Sequence, residues 1–128
     1  MSRAVWDASA LLLVLNSEPG AEQLAAELGD ALMSAVNLSE VVGKLVEAGM
    51  PEGDLREALA GLPLEVVSFD EEAAYLAGLL RPATRARGLS LGDRACLGLA
   101  LARGLPAVTA DRAWRKLDLG IEVRFFRG

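Results

Sequence analysis

Short runs of apolar, β-type residues alternate with longer stretches in which apolar positions recur every three or four residues, and the alternation continues along the chain. It predicts strands at residues 4–6, 31–34, 64–69, 106–109 and 121–126. Between them it predicts helices at 8–15, 21–28, 38–48, 54–62, 71–87 and 91–103, and a short one at 112–117. Breakers stand where these elements should stop. Pro19 suits a helix start, Gly49 and Pro51 separate two helices, Pro82 should kink or break the 71–87 helix, and Gly88 and Gly104 follow helix ends. No linker, repeat or low-complexity stretch interrupts the pattern, which implies an α/β fold with a mainly parallel sheet covered by helices on both faces. The first helices carry Leu11, Leu12, Leu13, Leu15, Leu24 and Leu28, more apolar surface than one sheet face needs. Either this is ordinary core packing or it forms a groove for a partner helix.

Composition narrows the picture. A chain of 128 residues, 52% hydrophobic but only 5% aromatic, suits one domain over residues 1–128 with one Leu- and Ala-rich core. Its longest apolar run, residues 10–15, is far short of the ~18 residues a membrane span requires. Met1-Ser2-Arg3 is followed soon by Asp7, so no signal peptide is visible. A lone Cys96, set in Ala95-Cys96-Leu97, reads as a small buried hydrophobe in a reducing, cytoplasmic compartment.

Charge and the absence of one residue type then restrict the chemistry. Lys and Arg number 13 against 18 Asp and Glu, so the formal charge is 13 − 18 = −5, and there is no histidine. Imidazole-based triads, acid/base pairs and HExxH zinc sites are excluded. The net charge is also wrong for gripping nucleic acid by itself.

In a parallel α/β sheet, functional groups collect beyond the carboxyl ends of the strands, where the strand order reverses. Asp7, Asp70 and Asp111 each follow a predicted strand, and Glu40 and Asp93 open helices that start at the same edge. Each acid alone has a structural explanation. Asp7 and Asp111 can be plain N-caps, Asn37-x-x-Glu40 and Ser90-x-x-Asp93 resemble capping boxes, and Glu40 can pair with Lys44 one turn on. Together they are harder to dismiss, because capping and clustering at one edge are compatible. Asp93 leads a nearly all-apolar helix and shares its face with Cys96, Leu97 and Ala100, so it needs a partner. Crowded carboxylates raise one another's pKa unless a cation offsets them. Hard oxygen ligands without His or Cys favour Mg²⁺ or Mn²⁺, metals that keep waters and bind phosphate oxygens.

These motifs resemble a known family. Val5-Trp6-Asp7-Ala8-Ser9-Ala10-Leu11-Leu12, Asn37-Leu38-Ser39-Glu40-Val41, Leu91-Gly92-Asp93-Arg94-Ala95-Cys96-Leu97 and Val108-Thr109-Ala110-Asp111-Arg112-Ala113-Trp114, in this order and at this chain length, are similar to PIN-domain ribonucleases of the VapC toxin type. The resemblance implies a PIN-domain α/β/α sandwich around a mainly parallel sheet of four to five strands. It implies a Mg²⁺- or Mn²⁺-dependent endoribonuclease, homodimeric and neutralised by a cognate VapB-type antitoxin. It assigns catalysis and metal binding to Asp7, Glu40, Asp93 and Asp111, with Asp7 and Asp93 as principal ligands and Ser9 and Thr109 as polar support. Asp70 falls outside the family pattern and keeps its capping reading. The implied reaction is in-line attack of water on an RNA phosphate, leaving 5′-phosphate and 3′-hydroxyl ends. Without the four assigned acids the charge would be 13 − (18 − 4) = −1, so most of the acidity belongs to this one cluster.

RNA must then be guided by Arg81, Arg85, Arg87, Arg112, Arg115 and Lys116, with Arg94 also beside the acids in sequence, unless these are simply solvated helix faces. Trp114 is either a base-stacking platform or a core anchor. The competing class is a non-catalytic PIN-fold module that binds RNA or protein. A phosphoaccepting signalling domain or a haloacid-dehalogenase-like phosphatase fits poorly, because Asp7 is followed by Ala8-Ser9 and no lysine lies near Thr109.

Overall fold

A computed structural model of the chain describes residues 3–114 and 117–126. Strands β1 (Ala4–Trp6), β2 (Ala31–Ser34), β3 (Glu65–Val67), β4 (Ala107–Thr109) and β5 (Val123–Phe125) form a single sheet in the order β3-β2-β1-β4-β5. All the pairings are parallel, which sharpens the expected mainly parallel sheet. Val5 stands between Leu32 and Ala107, so β1 is central. From β1 the chain moves outward through β2 and β3, then crosses to β4 on the other side. The strand order therefore reverses between β1 and β4, and the crevice lies at their carboxyl ends.

Period-two alternation divides the sheet residues between two cores. Ala4, Trp6, Met33 and Val108 face helices α1 (Ala8–Leu15), α2 (Ala21–Ala25), α3 (Ala35–Glu47) and α4 (Glu52–Ala60). Val5, Leu32 and Ala107 face α7 (Leu91–Arg103), whose Cys96, Leu97 and Ala100 complete that core with Trp114. Helix α5 (Glu71–Leu79) packs outside α7, where Gly98 lets the α5 backbone at Ala77 approach. Each fully buried Leu or Val side chain contributes about 1.5–3 kcal/mol through its removal from water.

Several elements differ from the sequence expectation. Helix α3 starts at Ala35 rather than residue 38, because Ser34 Oγ accepts a hydrogen bond from Val36 N at 3.2 Å and caps it. Helix α4 begins directly after Pro51, and the 21–28 helix shortens to α2 followed by a 3₁₀ turn, Leu28–Asp30. The single 71–87 helix is in fact α5, then α6 (Arg81–Thr84) and a 3₁₀ turn, Arg85–Arg87. Pro82 has no N–H for a continuing helix, and Gly88 ends the segment at φ 68°. Arg94, buried on α7, donates from Nη1 to Ala77 O at 3.0 Å in the last turn of α5, so it ties these helices together. Of the expected 112–117 helix, residues 112–114 form a 3₁₀ turn, Arg112–Trp114, and residues 115 and 116 lie outside the described residues.

The leucines named at the first helices follow the core-packing alternative, with Leu12 and Leu15 partly buried against the core. Leu11, Leu13, Leu24 and Leu28 are buried in the core. An apolar cleft of about 750 Å³ lies instead between α3 and α4, lined by Leu38, Val42, Val46, Met50, Leu55 and Leu59 among others. Among the described residues, no helix is long and apolar enough to cross a membrane.

Candidate functional site

Asp7 leaves the central strand in extended conformation (φ −87°, ψ 177°), and its Oδ1 accepts from Ala10 N at 2.9 Å, capping α1. The expected cap is real, but the carboxylate does more. Ser9 Oγ donates to Oδ1 at 2.7 Å and Thr109 Oγ1 donates to Oδ2 at 2.6 Å. Each hydroxyl has one proton, and both are directed at Asp7. The same oxygens act as acceptors for β4's exit: Ser9 Oγ takes Ala110 N at 2.8 Å, and Thr109 Oγ1 takes Asp111 N at 2.9 Å. Ser9 and Thr109 therefore both contact the Asp7 carboxylate.

Burial decides the electrostatics. Asp7 is only 3% exposed. Removal from water pushes its pKa from 3.8 up to about 6, against the lowering effect of the Thr109, Ala10 and Ser9 hydrogen bonds and with added repulsion from Asp93. Three uncharged donors do not offset the cost of this buried charge.

Asp93 sits on the first turn of α7. A true capping box holds it: Ser90 Oγ accepts from Asp93 N at 3.2 Å, and Asp93 Oδ2 accepts from Ser90 N at 2.8 Å. Its other oxygen, Oδ1, accepts from Trp114 Nε1 at 3.3 Å. Trp114 is fully buried, so it is a core anchor with a polar handle on the site and not a base-stacking platform.

Glu40 comes from the second turn of α3, and the Asn37-x-x-Glu40 capping box is not formed, because Asn37 already lies within that helix. Instead Asn37 Nδ2 donates to Glu40 Oε1 and to Gly92 O, both at 3.0 Å. The Glu40 carboxylate rests directly over the Cα of Gly92, in space a β-carbon would occupy. Partial burial raises the Glu40 pKa, Asn37 lowers it, Asp93 raises it and Lys44 lowers it by its charge. Asp111 follows β4 and caps the 3₁₀ turn after it, with Oδ1 accepting from Ala113 N at 2.9 Å.

Asp7, Glu40, Asp93 and Asp111 thus line one cleft of about 280 Å³, together with Ser9, Ser90 and Lys44. Asp70, at the end of β3, is not among its lining residues. Cys96 lies beneath, fully buried, and burial pushes its thiol well above its ordinary range, with the charges of Asp7, Asp93 and Glu40 adding to the effect. It is a buried small side chain, as expected.

The donor set is one of hard carboxylate and hydroxyl oxygens, which suits Mg²⁺ or Mn²⁺. Among the described residues no three acidic or sulfur-bearing groups converge tightly enough to enclose a bare ion. Magnesium keeps most of its waters and takes one or two carboxylates directly.

The basic residues fall elsewhere. Arg81, Arg85, Arg87 and Arg112 are exposed and do not line the cleft. Arg94 is turned toward α5. Arg115 and Lys116 lie outside the described residues. Among the described residues Lys44 is the cation that lines the cleft, and sequence reasoning treated it only as a helix-face partner of Glu40. Asn37 was read as a capping partner of Glu40 rather than as its side-chain donor, and Gly92 and Trp114 were missed as contacts of the acids. A glycine beside Asp93 inside a helix that needs no turn was the available signal.

The PIN domain family model matches residues 4–119. The fold is similar to DNA-bound VapBC from Salmonella typhimurium (TM-score 0.73, 23% identity, 96% of this chain and 97% of that one). It is similar to VapBC2 from Rickettsia felis bound to a fragment of its promoter DNA (TM-score 0.74, 15% identity, 97% and 98%). It is also similar to VapBC-5 from Mycobacterium tuberculosis, a member of the VapBC family of toxin-antitoxin systems (TM-score 0.59, 20% identity, 100% of each chain). No curated protein matches the sequence significantly. The family match spans nearly the whole sheet and every acid of the cleft, and the solved structures share the fold: the chain belongs to the PIN-domain family.

Proposed function

We propose that the chain is a Mg²⁺- or Mn²⁺-dependent endoribonuclease of the VapC toxin type. The observation that carries this reading is the buried Asp7 carboxylate, left with uncharged donors and facing the other acids across one cleft at the sheet's switch point. A binding module has no need to keep a charge in so costly a place. The toxin assignment is supported by the toxin–antitoxin complexes of similar fold. It extends to a cytoplasmic homodimer neutralised by a VapB-type antitoxin.

Asp7 and Asp93 would hold the ion directly, and Glu40 and Asp111 would hold it directly or through water. When bound, the divalent cation supplies positive charge for the phosphate in the transition state and acidifies water at neutral pH. The remaining work belongs to the protein. Ser9 and Thr109 fix both oxygens of Asp7, and the Ser90 capping box and Trp114 fix those of Asp93. Where they do not hold the ion, Glu40 or Asp111 would orient the attacking water, and no histidine is available for that task. Lys44, on the cleft wall, is placed to meet a phosphate oxygen.

The test is cleavage of end-labelled RNA by the purified full chain, freed of any antitoxin. Cleavage that requires Mg²⁺ or Mn²⁺, stops with chelator, leaves 5′-phosphate ends and disappears in Asp93→Asn is expected. RNA binding without cleavage identifies the non-catalytic module instead, and cleavage that survives chelator or Asp93→Asn removes the assigned site.

A further inference from the structure

Glu40 differs from the other acids of the cleft in how it is held. Asp7, Asp93 and Asp111 each cap a helix or turn, so a backbone N–H close in sequence helps to orient each of them. Glu40 projects from the body of α3, has a longer side chain and is partly open to solvent. Left to itself it would sample many rotamers. Two residues outside the family's acidic set restrain it.

Asn37 is 1% exposed, one turn before Glu40 on the same helix. Its amide has two N–H donors, one directed to Glu40 Oε1 and one to Gly92 O. Turning the amide over would set its oxygen against two other oxygens, so the orientation is fixed. Its Oδ1 has no hydrogen-bond partner among the described residues. Gly92 supplies the second restraint. Its φ is ordinary and helical, and alanine would favour the helix more, yet a β-carbon there would overlap all three atoms of the Glu40 carboxylate.

We propose that Asn37 and Gly92 are a positioning pair for Glu40: Gly92 opens the seat on the first turn of α7, and Asn37 clamps the carboxylate into it while tying α3 to α7. The pair rests on the nuclease reading above, in which Glu40 faces the divalent ion. Neither residue is among those lining the cleft. The seat lies at the positive end of the 13-residue helix α7, which favours an anion there.

The experiment is a double-mutant cycle read by calorimetric titration with Mn²⁺ alone and by thermal melting, on the full chain. Gly92→Ala is expected to weaken Mn²⁺ binding about 10- to 100-fold without lowering Tm, because the displaced group is the free end of an exposed side chain and alanine suits the helix. Asn37→Ala is expected to weaken binding to a similar degree. Neither substitution should weaken it further in a Glu40→Ala background, whereas damage to the fold would act equally in both backgrounds. If Glu40→Ala weakens Mn²⁺ binding but Gly92→Ala and Asn37→Ala bind as the unaltered chain does, the positioning pair is wrong and the nuclease reading stands. If the losses persist undiminished in the Glu40→Ala background, the pair acts through the fold and the proposal falls. If the unaltered chain binds no Mn²⁺, or Glu40→Ala binds it normally, the reading beneath the proposal fails first.

Discussion

Asp7 and Asp70 leave their strands in nearly the same way. Backbone angles are φ −87°, ψ 177° at Asp7 and φ −86°, ψ −173° at Asp70, and each Oδ1 accepts from the backbone N–H three residues on at 2.9 Å. Locally they are the same N-cap. Around them everything differs: β1 lies between β2 and β4, whereas β3 is an edge strand with exposed Glu65 and Val66. Asp7 is 3% exposed and gathers hydroxyls from α1 and β4, while Asp70 is exposed. A cap becomes a chemical group when topology brings a neighbouring strand's exit over it. The sharpest way to break this comparison is to remove both carboxylates in turn. Asp7→Ala is expected to lower RNA cleavage on the order of 1,000-fold, the loss of several kcal/mol of charge stabilisation, and Asp70→Ala to leave cleavage unchanged. Equal losses in a single-turnover assay would refute the distinction.

The next largest difference is in stability, and it runs against intuition. The folded-state pKa of Asp7 is raised, from 3.8 to about 6, so the folded chain binds this proton more tightly than the unfolded chain does. Its contribution is therefore most favourable below about pH 4 and is lost as pH rises through about 6, a span worth about 3 kcal/mol. In chelator at pH 7, Asp7→Asn should be more stable than the unaltered chain by up to that amount, and the two should converge near pH 4. Asp70→Asn should show no such gain, since Asn caps as well as Asp. Urea melts at both pH values decide it, and an Asp7→Asn variant no more stable at pH 7 would show that burial of Asp7 carries no penalty.

Much of this difference was legible in the chain and some was not. The βα alternation, the strand-end aspartates and the Ser90-x-x-Asp93 box are local patterns, and each forms as read. The order β3-β2-β1-β4-β5 is not local, and it alone decides that Asp7 meets Thr109 while Asp70 meets no second strand. Asn37 was misread for a related reason. Capping chemistry belongs to the first polar residue at a helix start, and Ser34 took that place three residues earlier. The Asn37–Gly92 contact spans 55 residues, beyond the reach of any periodicity. Arg94 stands next to Asp93 in sequence but half a helix face away in space, turned to Ala77.

Thr109 is where the two caps diverge in chemistry, and Thr109→Val removes its hydroxyl while keeping its shape. The variant deprives Asp7 Oδ2 of its 2.6 Å donor and Asp111 N of its acceptor. About a tenfold loss of Mn²⁺ affinity and of kcat/KM is expected, as for other groups that orient a ligand without touching the metal. Ser9→Ala, which removes the donor to Oδ1, should behave similarly. Activity retained in both would mean that the cap from Ala10 N suffices to aim Asp7, and that its apparent difference from Asp70 lies in burial alone.

The smallest effect belongs to Asp70 itself. Its carboxylate stands at the N-terminus of α5, near Glu71 and Glu72, and satisfies Ala73 N in full view of solvent. Loss of an exposed aspartate N-cap costs about 1 kcal/mol, so Asp70→Ala should lower Tm by a few degrees, with Mn²⁺ binding unaltered. Asp70→Ser should restore Tm, because a serine oxygen reaches the same N–H. The corresponding Asp7→Ser change tests the other half of the comparison. Serine can still cap α1, so that helix should keep its start, yet the variant should remain as inactive as Asp7→Ala, because one neutral oxygen replaces the anion that Ser9 and Thr109 jointly hold. Cleavage by Asp7→Ser would mean that the cap, and not the charge, is what the site requires.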